Sequence, residues 1–335
     1  MNDVSASTLE SVLHQEGATL IKMNCEELRR ALKKELGISV ALLVLLLSSI
    51  GGFAAPVTKS ATSWNVSWQP VRLVNGSPIL FKVSSPLRLE SLSGKWMDRG
   101  VFFSPEASGK VWFAIAGVSV ETKPGKYQIG LTGKTPNGKD VSLARTITVL
   151  KGKYRHIAVN VPKQFTEPNP EQLTQIKEEQ EVKHDVFSRI APEREWDGVF
   201  DAPVKAVVSD VFGTARVFNG KTQSIHQGLD YGVPSGTPVD AINRGTVLLA
   251  RPLFFEGNCV VLDHGQGLLT IYMHLSKIEV KEGDIVNGGQ EIALSGGTGR
   301  ATGPHLHVAV RWQGIYVDPA TLLSLRIPAA LAESR

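Results

Sequence analysis

The sequence predicts a mainly β fold: an N-terminal Ig-like β-sandwich, a short helical linker and a C-terminal antiparallel β domain. Three observations carry that prediction. Over 61–160, β-branched and aromatic runs recur between turn signals about every 8–12 residues. Over 161–199 the turn signals give way to a charged stretch with a helix-start pattern. From Phe200 onward, apolar runs separated by glycine-rich turns return. The 335 residues, 42% hydrophobic and 20% charged, exclude a mainly disordered chain and suit two folded domains of roughly 100–200 residues each. Only two cysteines are present, so a disulfide scaffold and a Cys-rich zinc finger are excluded.

Residues 1–36 form a leader on the cytoplasmic side, and residues 37–55, GISVALLVLLLSSIGGFAA, are the apolar core of an export signal or a membrane anchor. Arg29, Arg30, Lys33 and Lys34 precede the apolar run, and small residues follow it, with cleavage after Ala54 or Ala55. Both readings place everything after residue 55 outside the cytoplasm, in the envelope or periplasm, either free or anchored to the inner membrane. A start at Met23 would give a more conventional basic leader than a start at Met1. Cys25 lies before the apolar run, which leaves Cys259 as the only exported cysteine, without an intramolecular partner.

Residues 61–160 form the first domain. Expected strands include Val71–Val74 before Asn75-Gly76, Ile79–Val83, Val111–Ile115, Tyr127–Leu131, and Val141–Val149 after Asn137-Gly138. Trp64, Trp68, Trp96 and Trp112 fall here and are expected to pack in or beside the core rather than form a carbohydrate-binding face. This segment has 14 Lys and Arg against 5 Asp and Glu, so an anionic envelope polymer or membrane surface is a candidate partner. Export argues against nucleic acid. Residues 161–199 reverse the balance, 5 against 9. Asn169-Pro170-Glu171-Gln172 is a helix start, with Asn169 as cap, and Leu173, Ile176, Phe187 and Ile190 could share a face. The helix either docks on the basic domain or is a solvated connector.

Residues 200–325 are the third unit, and 326–335 a tail. Its expected strands are Val204–Ser209, Thr246–Ala250, Cys259–Asp263, Leu268–Met273, Glu291–Leu294 and Leu306–Trp312, with a helix near Pro319–Leu325. Five of the eight histidines fall within 82 positions here. His226 and Asp230, four apart around Gly228, share a face if extended. His305-Leu306-His307 puts two imidazoles on one face of a strand and Leu306 on the other. Imidazole and carboxylate suit Zn²⁺, and three protein ligands leave a position open for a catalytic water.

The motifs HQGLD, DHGQGLLTIYMHL, GDIVNGGQ, GGTGRATGPHLH and VDP follow in order between residues 200 and 325. Together they resemble the lysostaphin/LytM-type zinc endopeptidases, and the preceding β domain with its linker looks loosely like one that accompanies this peptidase in some envelope proteins. The resemblance implies a LytM-type fold and hydrolysis of peptide cross-links in bacterial peptidoglycan by zinc-activated water with histidine assistance. It implies one zinc per catalytic domain, held by His226, Asp230 and His307, and two catalytic histidines, His274 and His305. With no HExxH segment, the base falls to a histidine. His305 is assigned as water activator and His274 as oxyanion or leaving-group partner, the reverse remaining open. Tyr272 and Arg300 are candidate substrate contacts, Asp263 and Asp318 weaker ones, and His264 is expected to be a turn residue. The resemblance favours peptidoglycan stem peptides, with a D-alanyl–diaminopimelate link over a glycine bridge. The principal alternative is a non-catalytic LytM-fold protein that binds wall polymer or activates an amidase. A biotinyl- or lipoyl-type carrier is suggested only by the hairpin-like Val280–Gln290, which has no lysine in the modified context.

Overall fold

The computed structural model describes residues 63–328 apart from 219 and 221; the leader, Met23, Cys25, the 37–55 segment and residues 329–335 lie outside the described residues. Turn chemistry builds two four-stranded antiparallel sheets in the N-terminal part. One runs β1 (Asn65–Gln69), β2 (Pro78–Ser84), β6 (Val111–Gly117), β5 (Ser104–Pro105). The other runs β4 (Arg99–Phe102), β3 (Ser91–Trp96), β7 (Gly125–Lys134), β8 (Asp140–Val149). The β7–β8 hairpin closes at Asn137-Gly138, where Gly138 takes φ +80. Val71–Val74 is not a strand: Val71 is exposed, and only Val74 makes an isolated bridge, to Leu150. Trp96 is fully buried, meets Phe81 of the other sheet edge-on at 5.7 Å and donates its indole N–H to the Gly117 carbonyl at 3.0 Å. Trp112 is buried too, while Trp64 and Trp68 pack partly buried against the core. The tryptophans are therefore packing residues.

The C-terminal part is an eight-stranded antiparallel sheet. Its order is β10 (Val208–Asp210), β13 (Gly228–Tyr231), β21 (Leu306–Trp312), β17 (Leu268–Leu275), β16 (Gly257–Asp263), β15 (Gly245–Leu253), β19 (Ile285–Val286), with β22 (Ile315–Val317) beside β21. A small sheet, β14 (Pro238–Asp240), β20 (Glu291–Leu294), β18 (Lys277–Ile278), packs nearby. The expected strand over 204–209 shrinks to β10, which pairs only with β13, and Val207 before it is exposed. The central strands read as continuous apolar runs because both faces are covered. Val308 and Val310 join one core, shared with the N-terminal sheets, and Ala309 joins a second with Leu249, Val261 and Ile271.

The second face is covered by α1 (Pro170–Phe187). Asn169 caps it in a reciprocal box with Gln172, as the sequence suggests. Its partner and its face differ from expectation. The helix docks on the eight-stranded sheet, not on the basic domain, through Val182, Val186 and Phe187, while Leu173 and Ile190 are exposed. The apolar surface of Leu249, Leu253 and Cys259 draws it there. A Lys183–Glu256 ion pair at 2.8 Å and the Arg311 guanidinium over Phe187 at 4.4 Å reinforce the contact. Among the described residues, no helix is long and apolar enough to cross a membrane.

Ahead of α1, β9 (His156–Val159) pairs in parallel with β11 (Ala215–Phe218), which forms a hairpin with β12 (Thr222–Ile225). The two halves also meet directly. A Cβ on Gly117 would come within 2.8 Å of Val317, and Gln69 exchanges two hydrogen bonds with the Arg326 backbone. Asp318 caps the short α2 (Pro319–Leu323) by accepting from Ala320 N at 3.0 Å, and Asp263 accepts from Gly265 N at 2.8 Å. Both carboxylates thus hold turns.

His264 is wholly buried, its Nδ1 donating to the Arg244 carbonyl at 2.6 Å and its Nε2 accepting from Thr270 Oγ1 at 2.8 Å. Burial pushes this imidazole down to about 4. Below pH 6.5 the unfolded chain takes up a proton that the folded chain refuses until about pH 4. The stability tied to the neutral ring is therefore complete above 6.5 and lost as pH falls toward 4, on the order of 3 kcal/mol in all. Denaturant titrations between pH 7 and 4 should show a shallower decline in His264→Gln than in wild type. Parallel declines would contradict this account.

Candidate active site

The antiparallel pairing of β13 with β21 sets Asp230 directly opposite His307. His226 lies two residues before β13, fixed by backbone hydrogen bonds to Thr214 and from Gly213, both 2.8 Å. His226 is therefore outside the strand that holds Asp230, yet the turn still points both inward. Asp230 Oδ1 lies 3.0 Å from His226 Nε2 and 2.7 Å from His307 Nδ1, and the two nitrogens are 3.0 Å apart. All three residues are buried. Gly228 is required for this approach, because a Cβ there would stand 2.4 Å from His307 Nε2. Leu306, between the two histidines of the HxH, is fully buried in the core as alternation requires.

The donor set fits a metal ion. His226 gives its Nδ1 proton to the Val211 carbonyl at 2.9 Å, so its Nε2 presents a lone pair toward the other two ligand atoms. Two nitrogens and a carboxylate oxygen converging in a buried place match the chemistry of a three-ligand zinc site. Burial pushes the Asp230 carboxyl up, but hydrogen bonds with His226 and His307 outweigh it and hold it well below the usual carboxylate range. Burial pushes the His307 imidazole down.

His274 and His305 stand beside the triad, their ring centroids 4.8 Å apart. His274 Nδ1 donates to the Thr298 carbonyl and His305 Nδ1 to the Gly303 carbonyl, each at 2.8 Å. Both rings therefore offer Nε2 lone pairs, and His305 Nε2 lies 3.9 Å from Asp230 Oδ1. His274 holds φ +61, a left-handed conformation costly for a non-glycine residue. Burial first, then the imidazoles of His307 and His305, push it down to about 3, so it is neutral at physiological pH.

Two cavities, of about 410 and 130 Å³, flank these groups, and Arg216, Phe218, His274 and Arg300 line both. Tyr272, expected as a possible groove residue, is not one. It is fully buried, and its hydroxyl accepts from Ile242 N at 2.9 Å, with burial pushing it up to about 12. Arg155, Ile157 and Val159, on or next to β9, do line the larger cavity, although composition assigns them to the accessory segment.

Sequence reasoning missed Arg216 and Asp210. Arg216 donates to Asp230 Oδ2 at 2.6 Å, leaving Oδ1 to face the imidazoles. Asp210 grips the same guanidinium through Nε at 3.1 Å and Nη2 at 2.6 Å, and also accepts from Arg155 at 2.7 Å. Neither residue sits at a telling spacing; the β11–β12 hairpin alone carries Arg216 to the triad.

Residues 224–319 match the family described as Peptidase family M23. Two similar curated proteins come from Vibrio cholerae. The peptidoglycan DD-endopeptidase ShyA is 46% identical over 105 residues, 31% of this chain and 24% of that protein. The peptidoglycan DD-endopeptidase ShyB is 47% identical over 93 residues, 28% of this chain and 22% of that protein. The chain thus spans about a quarter of the length of these relatives. A crystal structure described as a peptidase M23 from Pseudomonas aeruginosa is 30% identical, with TM-score 0.57, covering 75% of this chain and 94% of that one.

Arg216 holds Asp230 through Oδ2 and is not itself one of the three residues that could hold a metal. Arg216→Met is expected to weaken zinc affinity by about 10–100-fold in a competition titration with a chromophoric chelator. Unchanged affinity would show that the ion pair is incidental.

Proposed function

This chain belongs to peptidase family M23, and on that premise we propose that it is a zinc-dependent endopeptidase hydrolysing peptide cross-links of bacterial peptidoglycan. The observation that carries the reading is the convergence of His226, Asp230 and His307 beside two further imidazoles in an open cavity. The relatives named as peptidoglycan DD-endopeptidases support this substrate, and a bond of the D-alanyl–diaminopimelate kind is the form proposed here. All five positions are filled, which favours catalysis over the non-catalytic alternative of wall binding or amidase activation.

His226, Asp230 and His307 would hold the zinc. When bound, that ion polarises the amide carbonyl as a Lewis acid and makes water more acidic. The chain's own groups do the rest. His305, with its Nδ1 proton spent on Gly303, accepts a proton at Nε2 from the water that attacks the amide carbon. As the C–N bond breaks, His305 returns that proton to the departing amine. His274, with its Nδ1 on the Thr298 carbonyl, turns Nε2 toward the site, a geometry that suits orienting the attacking water as well as the oxyanion or leaving-group role first assigned to it. Arg216 and Asp210 hold Asp230 in place throughout.

The envelope is the proposed site of action, with residues 37–55 as export signal or anchor and the basic segment 61–160 held near anionic polymer or membrane. Digestion of purified peptidoglycan by the protein, followed by mass spectrometry, should release cut cross-links. Chelation should abolish them and added zinc restore them. His305→Ala should retain zinc and lose about 10²–10⁴-fold in turnover, whereas Asp230→Ala should lose the metal. Chelator-resistant cleavage, or an Asp230→Ala protein with full zinc, would refute the assignment.

A further inference from the structure

Three guanidinium groups line the larger cavity beside the triad: Arg155, Arg216 and Arg300. Arg155 and Arg216 are neutralised by Asp210, and Arg216 also by Asp230. Arg300 is different. Among the described residues no carboxylate lies within 4.0 Å of it and its side chain makes no hydrogen bond, yet it lines both cavities. The carboxylate that acts on it from farther off, Glu256, is already paired with Lys183 at 2.8 Å, so this partly buried guanidinium has no carboxylate in hydrogen-bond reach, a cost that a bound anion would relieve.

Its position is built. Phe218 and Phe255 each lie against the guanidinium, with centroids 4.7 and 4.8 Å from Cζ. Cation–π contact with ring faces leaves the in-plane N–H edges free, and those edges match a carboxylate in bidentate geometry. Gly299 and Gly257 bring the two loops together, since a Cβ on Gly299 would stand 2.3 Å from Gly257 N. Arg300 N then donates to the Phe255 carbonyl at 2.8 Å. The same loop supplies the Thr298 carbonyl that fixes His274. One segment, tied to the Gly257 loop, therefore carries both this guanidinium and the partner of a proposed catalytic imidazole.

We propose that Arg300 is a specificity-determining residue that binds a free carboxylate of the substrate next to the scissile amide. This rests on the hydrolase reading above and narrows it. In a D-alanyl–diaminopimelate cross-link the carbon bearing the scissile nitrogen also bears a free carboxylate. A glycine bridge has no such group beside its internal amides. Arg300 thus selects the first substrate class over the second.

The test uses two synthetic cross-linked peptides that differ only in that group, one a carboxylate and one a carboxamide. The zinc-loaded full chain should cleave the carboxylate peptide with kcat/KM about 10–100-fold higher. In R300M the ratio should fall to near one, and R300K should keep part of it, with zinc content equal in all three proteins. A wild-type ratio near one, or a ratio that survives in R300M, overturns the proposal and leaves the hydrolase reading intact. If wild type cuts neither peptide, the hydrolase reading fails. Calorimetric binding of the two peptides to wild type and R300M then decides the Arg300 proposal separately. Tighter binding of the carboxylate peptide by wild type alone upholds it, and equal affinities overturn it.

Discussion

The pairing of β13 with β21 is the constraint on which the site depends. It opposes Asp230 to His307 across a single ladder position, and Gly228 leaves room for the imidazole. The resulting cluster of lone pairs and negative charge is buried and is tolerable only with protons or a cation among its members. A fold that holds such a group must be stiff, because the electrostatic cost of convergence would otherwise spread the ligands apart. The eight-stranded sheet supplies the stiffness, with a core on each face and α1 covering one of them.

Around this cluster, charge is arranged in order. Arg216 takes the oxygen of Asp230 that faces away from the imidazoles, and Asp210 accepts from Nε and Nη2 of the same guanidinium. Backbone carbonyls take the Nδ1 protons of His226, His274 and His305. Each ring is left with one lone pair for the cavity, so proton bookkeeping in the site is settled by carbonyl positions before any substrate enters. The glycines of the GGTGRATG run serve the same end, letting Thr298 and Arg300 sit where two loops nearly touch.

The accessory segment is part of this arrangement. The β9 strand extends the β11–β12 hairpin, and Arg155 shares Asp210 with Arg216. The N-terminal sheets also meet β22 through Gly117. The boundary at residue 160 reflects a change in composition, whereas chain pairing runs across it.

Much of the fold and of the site was legible in the residues. Strand periodicity, Asn-Gly turns and the Asn169 capping box are local signals, each decided by interactions within a few residues. The HxxxD and HxH spacings are also local and marked His226, Asp230, His305 and His307 as chemistry-bearing, but it was the family resemblance that singled out His226, Asp230 and His307 as the metal-holding set. What the sequence could not determine was which surface α1 covers, that Tyr272 turns into the core, and that Arg216, Asp210 and β9 reach the triad. Those outcomes depend on pairings between segments tens of residues apart, selected by apolar area and charge that exist only once the sheets have assembled, and no local pattern encodes them.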